Sequence, residues 1–416
     1  MDQASMPAQT CCCIVGGGPA GMMLGFLLAR AGVDVVVLEK HKDFLRDFRG
    51  DTIHPSTLEV MHELGLLDDF LKLPHQEVPK LTGQVGEDRI TLADFSHLPT
   101  RCRFVALMPQ WDFLNFLASQ GARYPGFHLR LEAEVTDLIR DGDRIVGARG
   151  KAVSGAFEIK ADLVVGADGR HSVVRERAGL AVEDLGAPMD VFWMRLSRRP
   201  DDGYAPLGRI DIGRVFVTLN RGDYWQCALV IPKGSADEVR RQGLPALRET
   251  IAQLAPFLRG RLDELKSFDD IKLLTVTVDR LSQWHRPGLL CIGDAAHAMS
   301  PIGGVGINLA IQDAVAAANI LAAPLRQRGV TLDHLRAVQR RRTFPTRATQ
   351  RMQLLIQDNV LRPVLGKTAK LSAPWPVKLF ERFPVLRRIP ARLIGLGFRP
   401  EHVKTPEAGK QIANSE

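Results

Sequence analysis

The chain has 416 residues, 45% of them hydrophobic, so it is long enough for two domains or for one domain with a large insertion. Only six cysteines occur, which excludes a disulfide framework and predicts a cytoplasmic protein, and no stretch approaches about eighteen uninterrupted apolar residues, so we expect no membrane-spanning helix. The net charge is +8, but no nucleic-acid-binding motif occurs and aromatic residues make up only 6%, which argues against a nucleic-acid partner.

The first predicted element is a short buried strand, CCCIV over residues 11–15. Three adjacent cysteines could suggest a metal site, but successive side chains of a strand point to opposite faces, and no CxxC pair or His-rich partner follows. We therefore expect no metal. Glycines and a proline interrupt the apolar run after the strand, and Arg30 follows it, which excludes an export signal.

A GxGxxG motif lies between this strand and a predicted helix. Gly16 permits a tight turn, Gly18 lets the backbone approach a diphosphate, and Gly21 lets the helix lie against the strand. The helix N-terminus offers free N–H groups to an anion. A second strand, 34–38, ends at Glu39, whose carboxylate can accept hydrogen bonds from ribose hydroxyls and would repel a 2′-phosphate. These features predict a dinucleotide site without identifying the dinucleotide.

A second polar cluster, GADGR over residues 166–170, follows a predicted strand that ends at Val165. Ligands of open α/β sheets bind at the carboxyl ends of the strands. Asp168 could face such a ligand, or it could cap the helix that begins near Ser172. The sequence leaves both interpretations open.

The third cluster begins at a predicted strand over 289–292, which Gly293 and Asp294 end. A glycine-rich turn over 301–306 then leads into an apolar helix over 307–321. The peptide N–H groups at the start of this helix, those of Gly306 and Ile307, would stabilise negative charge on a ligand. His297 in the intervening loop is a candidate for a direct role, although a lone loop histidine is more often a hydrogen-bonded structural residue.

The middle of the chain, residues 180–280, contains strand-like segments separated by turn residues. We expect a largely antiparallel sheet. Tyr224 and Trp225 are adjacent and must face opposite ways, so at most one lines a pocket. Core packing is the alternative for both side chains.

Residues 326–416 carry 19 Lys and Arg against 6 Asp and Glu, which leaves the rest of the chain with a net charge of −5. Arginines alternate there with Leu, Ile, Phe and Val at partly helical spacing. This pattern suits a helix on an anionic membrane surface, a cover over an apolar pocket, a site for an acidic partner, or a solvated face on packed terminal helices.

The three motifs, in this order and spacing, resemble those of the FAD-dependent aromatic hydroxylases related to para-hydroxybenzoate hydroxylase, and the ubiquinone-pathway hydroxylases share the scheme. The resemblance covers about residues 10–345. It implies an α/β fold with a Rossmann-like FAD-binding domain, an inserted, mostly antiparallel β-sheet substrate domain and C-terminal helices. The corresponding divisions are 1–75, 101–179 and 281–345 for FAD binding, 76–100 for a substrate-domain insertion, 180–280 for the substrate sheet, and 346–416 for a basic helical region.

The resemblance also implies roles for individual residues. Pro301 matches the segment beside the isoalloxazine ring and, with His297, is a catalytic candidate, whereas Trp225 is a substrate-binding candidate. Gln110 stands where the family often has arginine, so this contact to FAD would lack charge. The implied cofactor-binding residues are Gly16, Gly18, Pro19, Ala20, Gly21, Glu39, Lys40, Arg49, Gln110, Val135, Asp168, Gly293, Asp294, Gly304, Gly306, Ile307 and Asn308.

The implied activity is hydroxylation of a phenol-like or polycyclic aromatic substrate with O2, through a flavin C4a-hydroperoxide. No second GxGxxG occurs, so NADH or NADPH is expected to bind transiently. Three other functions use the same scaffold. A halogenase is disfavoured because the segment before Ile231-Pro232 has a single tryptophan, but an isoprenoid reductase and a redox-silent, membrane-associated FAD-binding partner remain alternatives.

Overall fold

The computed structural model describes residues 7–45, 52–202, 208–211, 213–365 and 375–408. The strands are β1 (Gln9–Val15), β2 (Val35–Leu38), β3 (Thr52–Ile53), β4 (Gln76–Val78), β5 (Lys80–Val85), β6 (Asp88–Asp94), β7 (Val105–Leu107), β8 (Phe127–Arg130), β9 (Ala133–Asp141), β10 (Arg144–Ala152), β11 (Gly155–Gly166), β12 (Val182–Asp184), β13 (Met189–Ser197), β14 (Gly208–Asp211), β15 (Arg214–Asn220), β16 (Tyr224–Pro232), β17 (Lys272–Leu274), β18 (Asp279–Leu281), β19 (His285–Arg286) and β20 (Leu289–Cys291).

The helices are α1 (Pro19–Arg30), α2 (Pro55–Glu63), α3 (Leu67–Phe70), α4 (Gln110–Gly121), α5 (Val173–Arg177), α6 (Ala236–Gln242), α7 (Leu244–Leu254), α8 (Gly306–Arg326), α9 (Leu332–Ile356), α10 (Arg362–Leu365), α11 (Trp375–Arg382) and α12 (Arg388–Gly395). A π-helical turn, Gln357–Leu361, joins α9 to α10. Short 3₁₀ turns, Gly293–Ala295 and Ile302–Gly304, precede α8.

One sheet has the strand order β19-β20-β11-β1-β2-β8. The pairs from β20 to β8 are parallel, while β19 and the β9-β10 hairpin pair antiparallel at its margins. In register, Val15 lies opposite both Gly166 and Leu38, and Gly166 lies opposite Cys291. The three clusters found in the sequence therefore meet at one edge of one sheet.

Two apolar helices, α1 and α8, pack against each other beside this sheet. Gly25 of α1 allows a close approach, because a Cβ there would lie 2.6 Å from a methyl carbon of Val37. The segment Ile302–Arg326 is long and apolar enough to span a membrane, but 83% of its most apolar window is buried inside the protein. The apolar character of α8 is explained by its place in the core.

A second, seven-stranded sheet has the order β17-β13-β16-β15-β14-β5-β6. It is antiparallel except for the β14-β5 pair, so the predicted sheet of the middle region is confirmed. One of its faces packs on α7, and the other contributes to an apolar cluster that includes Ile302 and Leu361. This second sheet thus lies beside the loop that leads into α8.

The mixed α/β fold with C-terminal helices agrees with the fold class that the sequence predicts. Helix α12 packs on β6 and on the region around Phe95. A Cβ at Gly395 would lie 2.7 Å from Leu98 and 3.2 Å from Phe95. The C-terminal helices are therefore attached to β6, the edge strand of the seven-stranded sheet. The domain boundaries themselves stay a prediction.

Candidate functional site

Backbone hydrogen bonds join the strand ends at the predicted site. The amide of Gly16 donates to the carbonyl of Leu38 at 2.8 Å, and the amide of Ala167 donates to the carbonyl of Val15 at 2.8 Å. The amide of Ile292 donates to the carbonyl of Gly166 at 2.9 Å. All three polar clusters consequently begin at the same level of the sheet.

The three motif glycines differ in what surrounds them. A Cβ at Gly16 would collide with the Ala167 carbonyl, and one at Gly21 would collide with the Gly16 carbonyl. Gly16 also has φ +107, a conformation that side chains disfavour. A Cβ at Gly18, in contrast, meets no described atom within 4 Å. Gly16 and Gly21 are thus required by packing, whereas Gly18 faces open space, which is the space that a diphosphate needs.

Glu39 supports the glycine turn through its carboxylate. It accepts hydrogen bonds from the amide of Gly17 at 3.0 Å and from the amide of His41 at 3.1 Å. Lys40 is exposed and Glu39 is half-buried. The carboxylate therefore lies at the turn, in the position from which a ribose would be recognised.

Asp168 lies at the end of β11 and accepts hydrogen bonds from the Ser172 hydroxyl at 2.5 Å and the Val174 amide at 3.1 Å. Burial raises the pKa of Asp168, although these hydrogen bonds oppose the shift. The side chain therefore caps the start of α5, and its role toward a ligand stays a prediction. Gly169 beside it has φ +83 and leaves open space at its Cβ position, so the adjoining backbone still borders the site.

The Gly293 turn is held from behind by a buried ionic cluster. Asp313 of α8 accepts a hydrogen bond from the Gly293 amide at 3.0 Å and from His297 Nε2 at 2.6 Å. Arg342 of α9 donates to the other oxygen of Asp313 at 2.8 Å, and Glu401 lies 3.4 Å from Arg342. Asp294, next to Gly293, is only half-buried. The cluster fixes the backbone while Asp294 stays at the rim.

The structure places His297 in the core. Its side chain is 1% exposed, contacts Asp313 and packs against the Trp284 ring at 4.9 Å. Through Asp313 the ring belongs to the buried cluster that fixes the Gly293 turn, which agrees with the structural alternative for a lone loop histidine. The catalytic role of His297 stays a prediction.

The loop from Pro301 to Asn308 is fastened to β3. The Thr52 hydroxyl donates to the Gly304 carbonyl at 2.8 Å, and the Asn308 amide donates to the Thr52 carbonyl at 3.2 Å. Asn308 Oδ1 accepts hydrogen bonds from the His54 amide and the Thr57 hydroxyl. The Asn308 side chain is thus used within the protein, and only its backbone is left for a ligand.

Pro301 is half-buried at the beginning of this loop, and Gly304 has φ +63. Gly306 begins α8, and a Cβ there would meet no described atom within 4 Å. No side chain caps the described N-terminus of α8, and the same holds for α1. Two helix N-termini with unused N–H groups therefore border one edge of the sheet, as an anionic ligand requires.

Other predicted residues lie around this edge or outside it. Pro19 and Ala20 form the first turn of α1, and Gln110 is the half-buried first residue of α4. Val135 is a buried residue of β9, and Ile307 is buried at the start of α8. Arg49 falls outside the described residues.

Trp225 is packed in the core on one side of the seven-stranded sheet. Its ring packs on Phe257 at 5.6 Å, and its Nε1 donates to Asp202 at 2.7 Å. It belongs to the apolar cluster on the α7 side of the sheet, whereas Ile302 belongs to the cluster on the other side. Core packing, the alternative for Trp225, is the role that the structure shows.

Two buried glutamines on α9 were not predicted from the sequence. Gln353 accepts from the Ser300 amide at 3.1 Å and donates to the carbonyls of Ser300 and Ile302, both at 2.9 Å. Gln350 donates to the Asp279 carbonyl at 2.7 Å. These side-chain amides bind backbone N–H and C=O groups of the loop before α8, as the backbone of a neighbouring strand would. Their helical spacing of three was the available signal, but it was hidden in a basic segment.

Comparison with known proteins agrees with this geometry. A family profile described as an FAD binding domain matches residues 9–352. The chain is 31% identical to 6-methylpretetramide 4-monooxygenase from Streptomyces rimosus over 388 residues, which cover 93% of this chain and 92% of that protein. It is 25% identical to para-nitrophenol 4-monooxygenase from Pseudomonas sp. (strain WBC-3) over 345 residues, or 80% of this chain and 82% of that protein.

The same fold occurs in the crystal structure of p-nitrophenol 4-monooxygenase PnpA from Pseudomonas putida DLL-E4. Its TM-score is 0.75 at 22% identity, and the match covers 93% of this chain and 97% of that chain. The chain therefore belongs to the FAD binding domain family. It is an FAD-dependent NAD(P)H monooxygenase of the aromatic hydroxylase class, as the resemblance implied.

Proposed function

We propose that this enzyme hydroxylates a phenolic, polycyclic aromatic substrate. The observation that carries the proposal is the apolar face of the seven-stranded sheet, which lies beside Ile302 in the loop before α8. That face is built by Val191, Val215, Ala228 and Val230, all buried. The relative from Streptomyces rimosus, named for a monooxygenase acting on 6-methylpretetramide, supports a substrate of several rings.

When bound and reduced by NADH or NADPH, FAD would supply the two electrons that activate O2, so that one oxygen atom passes to an electron-rich ring and the other leaves as water. The protein's contribution is to bind, orient and exclude water. The turn at Gly18 and the N-terminus of α8 at Gly306 provide backbone N–H groups for the negative charges of the cofactor. Asp313 and Gln353 keep the backbone that carries those groups in place.

Loss of water from the rings of the substrate favours a planar aromatic molecule over a polar one beside this apolar face. Burial of apolar surface contributes about 25 cal/mol per Å², and fused rings present more of it than a single ring. The apolar side chains of this face offer no hydrogen-bond partner. The substrate's own hydroxyl groups must therefore be recognised elsewhere at the margin of the face.

The proposal is tested with purified, FAD-loaded protein. NADH and NADPH consumption and oxygen uptake would be measured with single-ring phenols and with hydroxylated naphthalenes and anthracenes. We expect oxygen uptake stimulated by the multi-ring phenols and a product heavier by one oxygen atom. Turnover without oxygen would instead favour a reductase, and absence of any flavin reduction would favour a redox-silent FAD carrier.

We further propose that this enzyme is cytoplasmic and contacts anionic membranes through its C-terminal helices. Leu379, Phe383, Val385 and Ile389 are large apolar residues that are 38–59% exposed. Around them lie the arginines of α11, α12 and the turn between them, Arg382, Arg387, Arg388 and Arg392. Exposed apolar residues flanked by arginines suit the interface of an anionic bilayer, which attracts the charge and buries the apolar side chains.

A further inference from the structure

We propose that Gln357 recognises an oxygen atom of the aromatic substrate, an inference that rests on the proposed function. Gln357 is 1% exposed, and its Nε2 finds no hydrogen-bond partner within the part of the chain that the structure describes. A buried amide without a partner costs about 1–3 kcal/mol, so such groups are rare in native proteins and require an explanation.

The position of Gln357 along its helix indicates where the amide lies. Gln350, Gln353, Gln357 and Leu361 are buried at helical spacing along α9 and the π-helical turn. Toward the start of this row, Gln353 Nε2 donates a hydrogen bond to the Ile302 carbonyl at 2.9 Å. At the other end, Leu361 packs in one cluster with Ile302 and the apolar sheet face. Gln357 therefore lies between the Ile302 loop and that face.

The backbone at Gln357 is also unusual. The amide of Arg362 donates to the Gln357 carbonyl, which is the hydrogen bond of a π-helix in place of the α-helical one. Such single turns cost stability relative to a regular helix and occur frequently at functional sites. Here the turn lies where α9 leaves the loop and meets the substrate sheet. It is a second, independent feature that marks this position.

The chemistry of the amide defines its ligand. Nε2 is a donor, so the missing partner is an acceptor such as a phenolic or carbonyl oxygen. The surroundings supply apolar contacts from the sheet face, which suit the rings of the same molecule. An aromatic substrate that carries an oxygen satisfies both requirements at once. The alternative occupant is a buried water molecule, which would not distinguish between bound aromatics.

The test measures binding to oxidised, FAD-loaded protein without NADH or NADPH, so that no turnover occurs. Dissociation constants for 2-naphthol and for 2-methylnaphthalene are determined by calorimetry, and their ratio is compared between proteins. We expect Gln357→Met to lower the preference for 2-naphthol by about threefold to tenfold, the value of one neutral hydrogen bond. The control Asn359→Leu, an exposed position on the same helical segment, should keep the wild-type ratio.

An unchanged ratio in Gln357→Met would overturn the inference and assign the position to water or to packing. If that variant fails to retain FAD, Gln357→Leu is measured in the same way. Loss of FAD in both variants would likewise overturn the inference, because Gln357 would then be needed for the loop itself. Failure of the proposed function is recognised separately, since it would abolish substrate-stimulated oxygen uptake by the wild-type protein and leave the binding ratio intact.

Discussion

The Asp313 carboxylate lies 2.8 Å from Nε of Arg342, and both side chains are fully buried. The same carboxylate accepts a hydrogen bond from the amide of Gly293, which follows the strand of the third cluster. A charge pair between α8 and α9 thus fixes the backbone from which Asp294 projects. Removing one member of a buried pair leaves the other charge uncompensated.

Asp313→Asn should therefore lower the free energy of unfolding by about 3–5 kcal/mol and weaken FAD binding. Burial alone raises the pKa of Asp313, but His297 and Arg342 outweigh it and keep the pKa below its ordinary value. Chemical unfolding and FAD titration measure the two effects. The control is Asp333→Asn, at an exposed position on α9. Equal stability and FAD affinity in Asp313→Asn would contradict the positioning role.

Gly18→Val should abolish FAD retention while leaving the fold intact. Its Cβ would enter open space at the glycine turn, where no described atom lies within 4 Å but where the diphosphate must lie. Flavin absorbance of the purified protein and its circular dichroism give the two measurements. Gly260→Val is the matched control, since its Cβ also enters open space but away from the strand ends. Full flavin occupancy in Gly18→Val would refute the placement of the cofactor.

The acid stability of the protein should depend on His54. Burial lowers the pKa of His54 to about 4. The hydrogen bond that Nδ1 donates to the Ile394 carbonyl acts in the opposite direction but is outweighed. In the unfolded chain the pKa of this histidine is near its ordinary value of 6.5. The free energy of unfolding therefore falls as pH decreases from about 6.5 to about 4. The loss amounts to about 3 kcal/mol.

His54→Gln removes this titration and should flatten the pH dependence over that range. Urea unfolding at a series of pH values provides the measurement. His62→Gln, at an exposed position of α2, should retain the wild-type slope. A slope in His54→Gln identical to that of the wild type would show that other groups govern acid stability.

Binding to phosphatidylserine vesicles tests the C-terminal surface. We expect binding that weakens as salt increases, because screening shortens the reach of the arginine charges. Ile389→Asp should reduce binding by about tenfold or more, since it replaces an exposed isoleucine that would enter the bilayer by a carboxylate that anionic lipids repel. Val153→Asp is the control, because Val153 is an exposed valine in the turn between β10 and β11. Binding insensitive to both salt and Ile389→Asp would refute the membrane contact.

The sequence predicted the strand, turn and helix around Gly16 because short-range geometry determines them. It also predicted that the ends of β1, β11 and β20 meet, since parallel strands present their carboxyl ends at one edge. Side-chain direction was not predictable in the same way. Trp225 faces α7 and His297 faces α8, and both outcomes depend on how elements far apart in sequence pack.

The buried glutamines of α9 and the π-helical turn are a second case in which side-chain direction could not be predicted from the sequence. The segment that leads into them contains six arginines between residues 336 and 351, so composition favoured a solvated basic helix. Only the packing of α9 against the loop before α8 turns Gln350, Gln353 and Gln357 inward. Hydrogen bonds to backbone groups of a distant loop leave no periodic signal in the hydrophobic pattern.

Titration of FAD into the purified, flavin-free chain tests the central claim most directly. If the turn at Gly18, the Gly293 turn and the N-terminus of α8 form one cofactor site, binding must saturate at one FAD per chain and be lost in Gly18→Val. Failure of the wild-type chain to take up FAD, or uptake that Gly18→Val leaves unchanged, would contradict the account.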